Sequence, residues 1–400
     1  MASREHRHDG AFHLEGKLSN SQPRRPDPGL LPLLKALVAD EARFDLESLA
    51  PGVVNRALDH GFGAILARVT RGSAAQGSIH ADPIQAADLT SRLLTAEMLE
   101  AVTDILRLTA AAGCHPALLK GCSTCVRYYP EPHLRTMGDV DLLVASDEWL
   151  RVEELLRADG FEDTTATHPP SWYKQHHHSI PLWHPQRRLW IELHTRLYPP
   201  SSPLAAEQRL SPKAVEELIT SIAIAGYPAR VFAHELQLVY TATRWADMPN
   251  LQRGAFPILD AAMLIKTLGG TLNWNQVCSL VDGTWGATAL RLMLTYVDRW
   301  ELVAVPAAVL SQLAHQDRFT NRGLIEVLHR LITTFVMEGR PLGTIMTSRN
   351  CRTAWSVMVG PTRPWNKPLK LAANLVFPPT ERDGSARSRA VRRIRTAMGR

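Results

Sequence analysis

The chain has little of what marks several whole classes of protein. Five cysteines in 400 residues are too few and unpaired in number for a disulfide-stapled secreted scaffold, and they fit a reducing compartment. No apolar run reaches the roughly eighteen residues of a membrane-spanning helix. The N-terminus, MASREHRHDGAFHLEG, has no continuous apolar stretch, which argues against a secretory signal. Internal repeats are absent, which removes solenoids and propellers. With 45% hydrophobic and 21% charged residues, the expectation is a globular, soluble, cytoplasmic protein of two or three units.

Net charge is also missing from most of the chain. Seven arginines and one aspartate in residues 382–400 carry the whole formal charge of +6. The remaining 45 − 7 basic and 39 − 1 acidic residues cancel. A basic stripe for nucleic acid is therefore not expected on the body. The arginine-rich end can dock on anionic lipid or RNA, although such ends are more often plain solvated tails.

Composition and periodicity divide the chain. Residues 1–28 are polar and proline-bearing and read as a disordered lead. Residues 29–112 are helical. DLTSRLLTAEMLEAVTDILRLTAAAG repeats apolar residues at Leu89, Leu93, Leu94, Leu99, Ile105 and Leu108 and stops at Gly113. Over 113–200 the period shortens. PALLKG reads as a short buried strand, and VDLLVA as a strand with Val140, Leu142 and Val144 on one face and Asp139, Asp141 and Leu143 on the other. Ser146 reads as the N-cap of a helix ending at Gly160. SIPLWHPQRRLWIELHTRL reads as a hairpin with Trp190, Glu192 and His194 sharing a face. Helical patterns fill 201–345, and 346–400 are irregular with the basic tail. The fold class is α+β: a small mixed sheet with a helical N-terminal layer and a helical C-terminal domain.

Asp139 and Asp141 are the unusual feature. Carboxylates two apart on a strand point to one face, about 6.5–7 Å apart, and repel unless a cation lies between them. Mg²⁺ suits this geometry, since it takes one or two carboxylates and fills its shell with water and phosphate oxygens. Glu192 is the candidate third acid of a two-ion site. Upstream, Gly121 allows close backbone approach to a phosphate, with Lys120 and Ser123 as further contacts. Other readings of these residues stand beside this one. The aspartates could cap a strand end or pair with Arg135, Arg135 could neutralise phosphate or pair with Asp139, and Glu192 could pair with Arg187, Arg188 or Arg196.

The succession LLKG, LRTMGDVDLLV, LWIELHTRL resembles the nucleotidyltransferases of the DNA polymerase β superfamily. More narrowly it resembles the bacterial family labelled uncharacterised nucleotidyltransferase, firmly over about residues 113–200 and more weakly through ILDAAMLI and LNWNQV. The resemblance implies a polymerase-β-like sheet and a nucleoside triphosphate as substrate. It further implies two Mg²⁺ ions held by Asp139, Asp141 and Glu192, with Gly121 opening the helix over the triphosphate. The chain departs from the pattern at Cys122, where a glycine or serine is expected, and in LQLVYTATRW, which lacks the expected histidines.

Two further constellations carry rival chemistry. Cys122 and Cys125 form a C-x-x-C at a strand-to-helix junction, where a thiol redox pair could sit, or they are small buried residues. His176, His177, His178 and His184 tempt a zinc reading, but adjacent residues point to different sides and cannot all ligate one ion; at most one histidine or Lys174 is expected to reach the site. His194 is a weaker candidate for positioning substrate. The function expected is Mg²⁺-dependent transfer of a nucleoside monophosphate to an acceptor that the sequence does not identify. Alternatives are a kinase-like phosphotransferase and a catalytically silent nucleotide- or partner-binding protein.

Overall fold

The structure is a computed structural model and describes residues 29–41, 51–71, 81–164, 173, 177–200, 202–247, 255–320 and 322–338. The expected lead, the irregular region, the basic tail, Trp172, Lys174 and His176 lie outside the described residues.

Among the described residues four helices precede the first strand: α1 (Leu31–Ala39), α2 (Pro51–Asp59), α3 (Gly63–Val69) and α4 (Ala81–Ala111). The long α4 ends as its sequence requires, with Gly113 in the left-handed region (φ +75°). Its buried face is not the one the leucines suggested. Leu89, Leu93 and Leu94 are exposed, while Ile84, Ser91 and Thr95 are buried; only the second half, through Val102, Ile105 and Leu106, packs on the sheet.

Then follow β1 (Ala117–Leu118), α5 (Lys120–Tyr128), β2 (Val140–Leu143), α6 (Trp149–Ala158), β3 (Glu162–Asp163), β4 (Leu182–His184) and β5 (Leu189–His194). Ser146 does not cap α6; the N-cap is Glu148, without a side-chain capping bond. The β4–β5 turn falls on the expected PQRR, with Arg188 at φ +50°.

The main departure comes after residue 200. The short α7 (Pro212–Glu216) leads into two strands, β6 (Ile219–Ile224) and β7 (Tyr227–Phe232), where only helix was expected. Ala225 and Gly226 both have positive φ, +48° and +78°, the signature of a two-residue hairpin turn. The sheet therefore extends beyond 113–200. Its order is β3-β4-β5-β2-β1-β7-β6, with β2–β5 and β1–β7 parallel and the other pairs antiparallel.

Six α-helices follow in the described chain, α8 (His234–Asp247), α9 (Ala255–Leu268), α10 (Trp274–Val281), α11 (Trp285–Arg299), α12 (Ala307–Gln316) and α13 (Arg322–Ile332), and a π-helical segment (Thr333–Met337) continues the last. Among the described residues no helix is long and apolar enough to cross a membrane. Two cores result. Val140, Leu142, Leu189, Ile191 and Leu193 turn one sheet face toward α4 and α6. A larger core unites α1–α3 with α8–α13. The second sheet face carries the polar residues between them.

Candidate active site

β1 feeds the site through one abrupt turn. Leu119 stays extended (φ −109°, ψ 169°) and donates its amide to the Asp141 carbonyl at 2.9 Å. The next residue, Lys120, starts α5 at φ +49°, a conformation that costs a non-glycine residue about 1–2 kcal/mol. Asp40, Arg188, Ala225 and Glu301 share that region at helix ends and hairpin turns; Lys120 adopts it beside a cleft of about 780 Å³.

Opposite this turn, β2 and β5 run parallel with Asp141 beside Glu192 and Leu143 beside His194. The strand alternation holds as the sequence predicts: Leu189, Ile191 and Leu193 are buried in the core, and Glu192 and His194 share the other face. Asp141 is buried at 2% exposure. One of its oxygens, Oδ1, accepts from Lys120 Nζ at 2.5 Å and meets His194 Nε2 at 2.7 Å. Glu192 Oε2 lies 3.7 Å from the same His194 nitrogen. One ligand atom each from Asp141, Glu192 and His194 fall within 4.8 Å of one another. Arg187 binds Asp104 and Asp159 instead of Glu192.

Electrostatics favour ionised acids here. Burial works to raise the Asp141 carboxyl, but the Lys120 charge and the His194 hydrogen bond hold it well below the usual carboxylate range. Burial likewise opposes ionisation of Glu192, and the His194 contact together with Lys120 still leaves its pKa lowered. Lys120 is pushed up, since Asp141 outweighs the desolvation of its ammonium.

The other expected site residues divide. Asp139 stands just before β2, half-buried, and lines the cleft with Lys120 and Gly121. A Cβ at Gly121 would meet Met137 Cγ at 3.0 Å and the Arg135 guanidinium at 3.5 Å, so the missing side chain admits the 135–137 loop. Ser123 is fully buried, 3.5 Å from Gln237 Oε1; the next residue of the turn, Thr124, lines the cleft. Arg135 forms a fork with Asp260 of α9 (Nε to Oδ1 at 2.8 Å, Nη2 to Oδ2 at 3.0 Å) and lies over the Phe256 ring at 4.6 Å. Tyr129 donates to the same carboxylate at 2.7 Å.

Of the histidines, His177 and His178 reach the site, with ring centroids 5.3 and 5.6 Å from that of His194. His178 Nδ1 donates to the Ser179 carbonyl at 2.8 Å. His184 points to the opposite side and binds the Asp159 carbonyl at 3.0 Å. Burial pushes the Cys122 thiol well up and the Cys125 thiol up to about 12, the reverse of what a reactive thiol pair needs.

The sequence reading missed one wall of the cleft. Gln237, Tyr240, Thr241 and Arg244 of α8 line it, at the i, i+3, i+4, i+7 spacing of a single helix face. That polar stripe was the available signal. Beyond the ends of β2 and β5 lies a second cavity of about 630 Å³, between Leu143, Arg196, Glu216 and Arg230.

A strand–turn–helix thus stands beside two in-register acids on parallel strands. The model of the family described as uncharacterised nucleotidyltransferase matches residues 53–301, and the chain belongs to that family. No curated protein matches the chain.

Proposed function

We propose that the protein is a divalent-metal-dependent nucleotidyltransferase with a polymerase-β-like core, moving a nucleoside monophosphate from a triphosphate to a hydroxyl acceptor. The observation that carries this is the register of Asp141 beside Glu192, with Lys120 bonded to Asp141 and the Lys120–Gly121 turn lining the cleft together with Asp139. The donor set fits a hard cation: clustered ionised carboxylates, with the ligand atoms of Asp141, Glu192 and His194 close enough to converge. Asp139, Asp141 and Glu192 are the residues that would hold Mg²⁺, which supplies charge neutralisation at the phosphates when bound.

The remaining chemistry falls to the protein's own groups. His194 orients Asp141 through Oδ1. Glu192, held ionised, suits a metal ligand better than a base, because a base is most effective with its pKa near the working pH. The acceptor hydroxyl gives up its proton to solvent as its oxygen attacks the α-phosphorus, the bond from that phosphorus to the α,β-bridging oxygen breaks, and pyrophosphate leaves. Lys120 and the α5 turn supply positive charge next to the triphosphate, and positioning of this kind provides most of the acceleration in such transfers. The proposed catalytic unit is the sheet with α5, and the helices after β7 wall the cleft.

Incubation with cell extract and α-³²P- or γ-³²P-labelled triphosphates tests the reaction class. Transfer of the α label is expected. Transfer of the γ label would make the protein a phosphotransferase, and transfer of neither would leave a nucleotide-binding protein without turnover.

A further inference from the structure

Two buried polar atoms at the cleft have no hydrogen-bond partner among the described residues: Tyr240 Oη and Arg244 Nη1. Tyr240 is 1% exposed, and both residues line the cleft that holds Lys120, Gly121 and Asp139. An orphaned buried hydroxyl or guanidinium N–H is a standing penalty, and nearly all such groups in folded proteins find partners. The two residues are one helical turn apart on α8 and face the same side. Tyr240 lies in the middle of α8, and Arg244 in its last turn, which ends at Asp247. The neighbouring acid Asp260 is already taken by Arg135 and Tyr129, and Asp141 by Lys120 and His194. The positive charges of Arg244 and Lys120 bear on the Tyr240 hydroxyl, against the weaker opposing charges of Asp141 and Glu192. Two unpartnered donors thus stand on one face of α8 in the wall of the cleft.

We infer that Tyr240 and Arg244 bind the pyrophosphate portion of the triphosphate, the β- and γ-phosphates that leave in the reaction. This rests on the nucleotidyltransferase reading above and adds to it the residues that grip the leaving group. The α-phosphorus belongs beside Asp139 and Asp141, and the opposite wall of the same cleft receives the rest of the chain of phosphates. Arginine supplies charge and a planar fork of donors matched to phosphate oxygens; the tyrosine hydroxyl adds a neutral donor that gains a partner on binding.

The test is calorimetric titration of the full chain with inorganic pyrophosphate in the presence of Mg²⁺, with thermal melts of the same proteins. Arg244→Gln is expected to weaken pyrophosphate roughly tenfold or more, and Arg244→Lys by less. Tyr240→Phe is expected to weaken it about three- to tenfold while leaving the melting temperature equal or higher, since it deletes an unsatisfied buried hydroxyl. A residue with only a structural role would show the opposite pattern, a lower melting temperature with unchanged affinity. Unchanged pyrophosphate affinity in both Arg244→Gln and Tyr240→Phe overturns the inference and leaves the nucleotidyltransferase reading standing. If the wild-type chain binds neither pyrophosphate nor any nucleoside triphosphate, the reading itself fails and the inference falls with it. Should Arg244→Gln not fold, Tyr240→Phe decides alone, because its apolar ring keeps the core volume.

Discussion

Asp139 and Asp141 occupy one motif but do different physical work. Asp141 is buried and bound to Lys120 and His194, so Asp141→Asn removes a charge that a buried neighbourhood is built around. Such a change strands the Lys120 charge and costs stability, about 3 kcal/mol, so lost activity there does not separate folding from catalysis. Asp139 is half-buried at the cleft mouth. Asp139→Asn should therefore lower turnover by about 10²-fold or more with a melting temperature close to that of the wild type. Steady-state kinetics beside a thermal melt checks this, and a turnover within about twofold of wild type would remove Asp139 from the machinery. Glu192→Gln is expected to cost a similar ~10²-fold, about 2.7 kcal/mol of barrier, with little change in triphosphate affinity. An exposed ion pair in its place would be worth only ~0–1 kcal/mol, so kcat separates the two readings.

At the scale of elements, the loop that carries Asp139 is anchored from outside the sheet. Asp260 on α9 accepts from Arg135 and Tyr129, tying the 132–139 loop and the end of α5 to the helical half. The Arg135 guanidinium also donates to the Thr136 carbonyl at 2.7 Å. Removing one partner of a buried ion pair strands the other charge and costs about 3–5 kcal/mol. Asp260→Asn should accordingly lower stability by about 3 kcal/mol in urea denaturation, and it should reduce kcat as the Asp139 loop loosens. Asp260→Ala with Arg135→Met should recover part of the stability, because no buried charge is left unpaired. Equal stability of Asp260→Asn and wild type would show that the fork is not anchoring the loop.

At the scale of the molecule, four histidines among the described residues share one electrostatic fate. Burial is the first cause that lowers the pKa of His133, His178, His234 and His329 below the ordinary value. With the folded value below the unfolded value of about 6.5, the unfolded chain binds more protons in the window between them, so stability rises with pH there. The contribution is complete above about pH 6.5 and is lost as pH falls through the folded values. Melting temperatures measured from pH 7.5 down to 5 should therefore decline, and His329→Gln should flatten part of that slope. His329 does not line the cleft, and its Nε2 lies 3.1 Å from the Leu292 carbonyl, so its effect is separable from the site. A melting temperature independent of pH over this range would contradict the buried-neutral assignment.

Local alternation follows from the order of residues alone. VDLLV and LWIELH had to place Asp141, Glu192 and His194 opposite their aliphatic neighbours, because successive strand side chains point to opposite faces whatever the partner strand. That order also determined the short β1, the Lys-Gly turn and the end of α4 at Gly113, all of which depend on residues within a few positions. Register was beyond its reach. That Asp141 lies beside Glu192 is set by how β2 and β5 pair across 50 residues of chain, and that Lys120 and His194 share one Asp141 oxygen depends on where α5 sits above them. The ITSIAIAGYPARVF hairpin escaped notice because its strands are half-exposed and its turn is announced only by Ala-Gly. Ser123 looked like a phosphate contact until the helix rotated it into the core, and Arg135 found its carboxylate in Asp260, 125 positions along the chain. The leucines of α4 misled for the same reason: periodicity marks an apolar face, but only the packed fold decides whether anything covers it.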